Sequence, residues 1–232
     1  MVDLPLHVEH KQLVVPGELL AEGDYLPGDN TYMASGKIYS QRVGLAEVKG
    51  KKVSVVALKG PYIPKVGDLV IGQVVGITLG GWLVDINSPY TAILSVPDAI
   101  GKPFSPELGP LAKILSIGDT IIAKVIAFDR TRDPSLTIKG RGLGKMEGDV
   151  VVDLAPTKIP RLIGRKGSMI TMIKKLTGCE IVVGQNGKVL IRGRNPKMVE
   201  LVIGAIRMVE EQAHIPGLTD RIRAYIEQGK QG

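Results

Sequence analysis

The residues best suited to do chemistry in this 232-residue chain form one short run, Ile163-Gly164-Arg165-Lys166-Gly167-Ser168-Met169-Ile170. The chemistry is the gripping of an anionic chain rather than the making of bonds. Two glycines three positions apart let a backbone come close to a sugar-phosphate chain with no Cβ in the way. Arg165 and Lys166 place two mobile cations between them. A helix beginning near Ser168 aims unpaired N–H groups and the positive end of its dipole at the same point, which favours an anion. Beside the loop, Leu162, Ile163, Ile170 and Ile181 can wall an apolar groove for bases.

Such a loop works only if flanking elements hold it. The pattern predicts a strand at 150–154, a short helical turn over about 158–162 and an amphipathic helix from Ser168 to about Leu176. Pro160 is tolerated in the first turn of the short helix, where a missing N–H costs little. After Gly178 come strands near 180–183 and 188–192, turned by Gln185-Asn186-Gly187. A long helix follows over about 196–214, with Asn195 as its cap. The order is β-α-α-β-β-α. Together with Ile-Gly-x-x-Gly-x-x-Ile, this resembles a KH domain, whose loop clamps about four nucleotides of single-stranded nucleic acid.

Upstream, residues 65–140 read as five short strands with one longer insertion, which suits a five-stranded Greek-key barrel of the OB type. Val66-Gly67-Asp68, the stretch 74–86 and the closing Ser135-Leu136-Thr137-Ile138-Lys139 resemble an S1 domain. That resemblance implies single-stranded RNA laid across one barrel face by stacking and charge. The family's usual aromatic and histidine positions fall here on Gly80, Leu83 and Ser95, so the stacking platform is depleted. Trp82 shares the parity of Val84 and Ile86 and is expected inside the barrel. Tyr90, in a turn-like Ser-Pro-Tyr-Thr context, is expected to be exposed.

Residues 1–64 are punctuated by Pro16-Gly17, Pro27-Gly28, Ser35-Gly36 and Gly50-Lys51, with short β-branched runs between them. They read as a small all-β domain suited to packing against protein. Residues 141–149 read as a Gly-rich basic joint, flexible and able to touch phosphates through Arg141 and Lys145. The fold class expected is therefore multidomain, mainly β plus α+β. Residues 1–64 form the docking domain, 65–140 the S1-type barrel, and 150–232 the KH domain with a C-terminal helical extension.

Composition agrees with a polyanionic partner. The net charge is +7. Residues 139–175 carry 9 Lys or Arg against 3 Asp or Glu, so most of the excess lies in that stretch. The candidate RNA contacts are Ile163, Gly164, Arg165, Lys166, Gly167, Ser168 and Ile170 of the loop, with Arg161, Lys139, Arg141, Lys145, Tyr90, Arg130 and Arg132 around it. One cysteine, Cys179, rules out an intramolecular disulfide and a thiolate cluster; it reads as a small packing residue. His7 and His10 lack a third ligand in view, and His214 at a helix end is explained by the dipole. The expectation is no catalytic residue, metal or cofactor. No run approaches the roughly 20 apolar residues that cross a bilayer, and the N-terminus lacks a signal profile, so a cytoplasmic protein is expected.

A small β domain, an S1 domain and a single KH domain, in that order, together resemble the RNA-binding cap subunit of the exosome, most closely its archaeal form. The run Val14-Val15-Pro16-Gly17-Glu18-Leu19-Leu20 resembles that family's opening. The resemblance implies a non-catalytic subunit, three copies of which crown a hexameric ring of RNase PH-like subunits, with the N-terminal domain on the ring. It implies capture of RNA 3′ ends, A-rich ones among them, for degradation or processing. The alternative is a transcription or translation factor built from S1 and KH modules. Elongation factors of that kind carry two KH modules, whereas only one Gly-x-x-Gly loop is read here. A nuclease in its own right would need a catalytic domain for which no residues remain.

Overall fold

In the computed structural model the described residues are 6–101, 110–129, 131–148, 150–213 and 215–231. They divide into two compact units, one ending at Gly60 and one starting at Pro61.

The first unit is all β. Its strands are β1 (Leu13–Val14), β2 (Leu19–Glu22), β3 (Leu26–Pro27), β4 (Thr31–Ala34), β5 (Lys37–Ser40), β6 (Gly44–Lys49) and β7 (Lys52–Ala57). They form two sheets, β1-β6-β7-β3 and β2-β5-β4. Ala46, Val53 and Val55 recur at every second position of the β6–β7 hairpin and bury one face. They pack with Val14, Leu20, Ala21 and Ile38.

The second unit opens with a barrel of β8 (Leu69–Thr78), β9 (Gly81–Asp85), β10 (Thr91–Ser95), β11 (Thr120–Asp129) and β12 (Arg132–Thr137). The order β12-β10-β9-β8-β11 closes because β12 also pairs with β11. Helix α1 (Val96–Ile100) follows β10, and the Ser95 side chain caps it. Trp82 lies inside as expected, fully buried, and its Nε1 donates to the Leu115 carbonyl at 2.9 Å. Gly81 is required where it stands: a Cβ there would sit 2.1 Å from the Leu94 carbonyl oxygen.

The stretch read as a flexible joint is structured. Gly144–Met146 forms β13, a sixth strand paired with β11. The glycines resemble a linker, but Leu143 and Met146 pack into an apolar cluster and fix the segment.

The remainder contains β14 (Val150–Asp153), α2 (Ile159–Ile163), α3 (Ser168–Thr177), β15 (Glu180–Val183), β16 (Lys188–Arg192), α4 (Pro196–Gln212) and α5 (Leu218–Gln231). The sheet order is β14-β16-β15. Asn195 caps α4 by accepting from the Lys197 N–H at 3.0 Å. Three helical turns of α5 place Leu218, Ile222 and Ile226 on one stripe, all fully buried. A Cβ at Gly204 would lie 2.1 Å from the Tyr225 hydroxyl, so α4 and α5 approach closely only because Gly204 has none.

Both faces of this sheet are covered. Ile181, Val189 and Ile191 face the helices in one core. Leu190 and Val182 face the barrel and meet Ile71 and Ile122. The unbroken run Val189-Leu190-Ile191 has this cause, because a strand buried on both sides shows no alternation.

Candidate nucleic-acid interface

The clamp loop leaves α2 at Gly164, which has φ 76° and ψ 173°, a conformation open to glycine almost alone. A Cβ there would lie 2.8 Å from both the backbone nitrogen and the Cβ of Met169. Lys166 is left-handed at φ 52° and ψ 29°, and Gly167 at φ 78° and ψ 14°. The Gly167 N–H donates to the Gly164 carbonyl at 3.2 Å, which closes the turn. Arg165, Lys166 and Ser168 are exposed, and no side chain caps the N-terminus of α3. The loop thus presents two cations and a helix start to solvent, on a backbone held in an uncommon shape.

The apolar groove is narrower than expected. Leu162 and Ile181 belong to the core, at 0% and 2% exposure, because the helices close over them. Ile163 and Ile170 are half-buried and supply the apolar surface beside the loop. Arg161, on α2 next to the clamp, is half-buried; its Nε is sealed from solvent without an acceptor among the described residues.

The surrounding candidates divide. Lys139 and Arg141 are exposed. Lys145 instead lies 2.9 Å from Asp119 and 3.6 Å from Glu147, an ion pair that ties β13 to the start of β11. The hydrogen bond to Asp119 raises the lysine's pKa; burial raises that of Asp119, but the bonds from Lys145 and the Ser116 N–H outweigh it and leave it lowered. Arg132 is exposed and 3.9 Å from Asp129. Tyr90 is not exposed as expected: it is half-buried, its ring edge-on to Phe128 with centroids 5.0 Å apart. Arg130 and His214 lie outside the described residues.

On the barrel face where S1 domains carry their markers, Gly80 is exposed and Leu83 half-buried. The Ser95 hydroxyl is committed to Asp98, donating to its carboxylate at 2.6 Å and accepting its N–H at 3.2 Å. Leu83 pairs across the sheet with Ile93, so the face is aliphatic rather than aromatic.

Sequence reading missed Asn186. It stands in a second Gly-x-x-Gly, Gly184 to Gly187, whose residues alone read as a plain turn. Its side chain is fully buried and reaches into the barrel. It accepts from the Ile71 N–H at 3.2 Å and donates to the carbonyls of Ile71 at 2.7 Å and Ile86 at 2.9 Å. Its own carbonyl accepts from Asn87 Nδ2 at 2.9 Å, and the Gln185 N–H donates to the Leu69 carbonyl at 2.8 Å. The unalternating β16 was the available signal that another layer covers this side.

A closed OB-type barrel joined to a β-α-α-β-β-α domain with an exposed Gly-x-x-Gly clamp defines an RNA-binding protein of the S1 and KH class. Comparison with known families agrees. Residues 150–208 match the KH domain, residues 61–100 the family described as RRP4, S1 domain, and residues 11–59 the exosome RNA binding protein RRP4 N-terminal domain. The exosome complex component Rrp4 of Methanothermus fervidus is 46% identical, over 95% of this chain and 97% of its own. That of Thermofilum pendens is 42% identical, over 96% and 95%. A crystal structure assigned as an exosome complex RNA-binding protein superposes with TM-score 0.70 at 42% identity, covering 74% of this chain and 98% of that one. The chain belongs to the Rrp4 family of exosome RNA-binding subunits.

Proposed function

We propose that this chain captures the 3′ ends of single-stranded RNA, A-rich ends among them, and guides them into a hexameric ring of RNase PH-like subunits. Three copies act on each ring, in the cytoplasm, without a catalytic site of their own. The observation that carries the reading is the clamp: Gly164 in a conformation reserved for glycine, with Arg165 and Lys166 exposed beside the open end of α3. Backbone contacts of that kind are tolerant of sequence, which suits a strand that must slide. The aliphatic marker face of the barrel supports the same reading, because it offers little stacking to stop a moving strand. Among the described residues no helix is long and apolar enough to cross a membrane.

The test combines binding with assembly. Replacing Arg165 and Lys166 together by Asp should weaken RNA binding about 100-fold, since it turns two favourable charges into two repulsive ones, and leave circular dichroism unchanged. With purified ring subunits, the unaltered chain should co-purify and speed phosphate-dependent shortening of tailed RNA, and the variant should co-purify without speeding it. Full affinity in the folded variant would refute the clamp, and failure to join the ring would refute the assembly.

A further inference from the structure

The barrel and the KH domain enclose a cleft of about 330 Å³ between them, away from the clamp loop. We propose that this cleft is a base-binding subsite, taking one amine-bearing base of the strand held at Gly164–Gly167; the inference rests on the RNA-binding reading above.

The walls are the rings of Pro61, Pro89 and Pro156 and the side chain of Tyr62. Tyr62 is buried, and its hydroxyl donates to Asp68 at 2.6 Å, so it offers the cleft a ring rather than a polar tip. Flat apolar rings of this kind suit a planar heterocycle. Among the described residues no lysine or arginine lines the cleft, which argues against a phosphate as its occupant.

Of the polar groups at the mouth, Ser88 and Asn87 can both donate and accept, and the charged one, Asp85, only accepts. Asp85 uses Oδ1 on the Asn87 N–H at 2.8 Å, which leaves its second oxygen for a ligand. Asn87 gives one amide N–H to the Asn186 carbonyl and keeps the other beside its Oδ1, so it can meet a donor or an acceptor alike. The open carboxylate oxygen calls for a ligand that donates. Adenine and cytosine carry an exocyclic amine on the edge that proteins read. Uracil has a carbonyl in its place, and that carbonyl would face the Asp85 carboxylate.

Position supports a shared strand. Pro156 starts the segment that runs through α2 to Gly164, eight residues and roughly 12 Å away at a helical rise, within reach of a clamp that holds about four nucleotides. The cleft is also preformed. Asn186 and Asn87 fix one wall to the other through the hydrogen bonds that join the two domains.

The experiment uses the full chain and ten-nucleotide oligouridylates in which a single cytidine is walked along the strand, so that each substitution exchanges a carbonyl for an amine. Binding should tighten about tenfold at one register and little elsewhere. Asp85→Asn should erase that preference, because an amide meets a carbonyl as readily as an amine. Because Asp85 also holds the Asn87 turn, Pro89→Trp, at an exposed position, serves as a second variant that fills the cleft. It should erase the same preference with the melting temperature unchanged. Equal binding at every register, or a preference that survives both variants, overturns the subsite while leaving the clamp intact. Failure of the unaltered chain to bind all-uridine RNA at all would overturn the clamp reading and the subsite with it.

Discussion

Two loops of the KH domain share the spelling Gly-x-x-Gly and do opposite work. Gly164-Arg165-Lys166-Gly167 is exposed, cationic and unsatisfied, and its shape is set by its own backbone. Gly184-Gln185-Asn186-Gly187 carries its polar side chain into the barrel and has every amide hydrogen of Asn186 engaged. The glycines differ in the same way. A Cβ on Gly164 would strike Met169 in the first turn of α3, whereas a Cβ on Gly184 would meet its own loop's Asn186 Oδ1 at 2.4 Å and also Ile71 N at 3.1 Å across the domain junction. One loop leaves its charges and helix donors open to solvent. The other spends them on a neighbour that stays. The motif's spacing decides only that the backbone can turn; the two residues between the glycines decide what the turn is for.

The largest effect that separates the two loops is expected at Asn186. Asp has the same shape but cannot donate, so Asn186→Asp would set a carboxylate against the carbonyls of Ile71 and Ile86. Leaving two buried acceptors unpaired costs about 1–3 kcal/mol each, and burying the charge adds to that. Urea denaturation should show a loss of at least about 4 kcal/mol in the unit from Pro61 onward. A change below about 1 kcal/mol would mean that the junction is held by the Ile71, Ile122 and Leu190 contacts alone.

Much of this was legible in advance, and the failures share one cause. Ser168–Thr177, Glu180–Val183 and the Asn195 cap follow from local pattern, because periodicity and capping are properties of a single segment. Trp82 could be placed inside the barrel from parity with Val84 and Ile86. What was not legible depended on a second layer. Leu162 and Ile181 look like groove residues until the helices cover them. Gly142 and Gly144 look like a linker until Leu143 and Met146 are seen packed beside Ile71. Lys145 looks available to phosphate until Asp119 is placed 2.9 Å away. Each of those facts belongs to a pair of segments far apart in the chain.

Within the clamp, Gly164 and Gly167 should respond unequally. Gly164→Ala puts a Cβ 2.8 Å from the Met169 nitrogen in a region closed to alanine, and should cost about 2 kcal/mol and about tenfold in RNA affinity as the loop shifts. Gly167→Ala meets only the Thr171 hydroxyl at 3.9 Å and bears the left-handed penalty alone, about 1 kcal/mol. Lys166→Gly inverts the sign. It relieves a left-handed lysine, so thermal stability should rise slightly, by about 0.5 kcal/mol after the added chain entropy, while RNA affinity falls several-fold. Stability and affinity that fall together at Lys166 would show that its strain is not held for binding.

The smallest effect concerns the tie to β11 of β13, whose sequence alone reads as a free joint. The folded-state pKa of Asp119 is depressed below its ordinary 3.8, because the bonds from Lys145 and the Ser116 N–H outweigh its partial burial. A depressed carboxylate contributes stability that is complete above its unfolded pKa and is lost as pH falls through the lower folded value. The contribution of Asp119 should therefore be flat from neutral pH down to about 5 and disappear below 3.8. Solvent screening at this partly exposed pair keeps the effect small. Asp119→Asn should flatten that acid limb, and hydrogen exchange at Lys145 and Met146 should quicken in the variant at neutral pH. Unchanged exchange there would show that Leu143 and Met146 hold β13 without the ion pair. Lys145 would then be available to phosphate, as its sequence context first suggests.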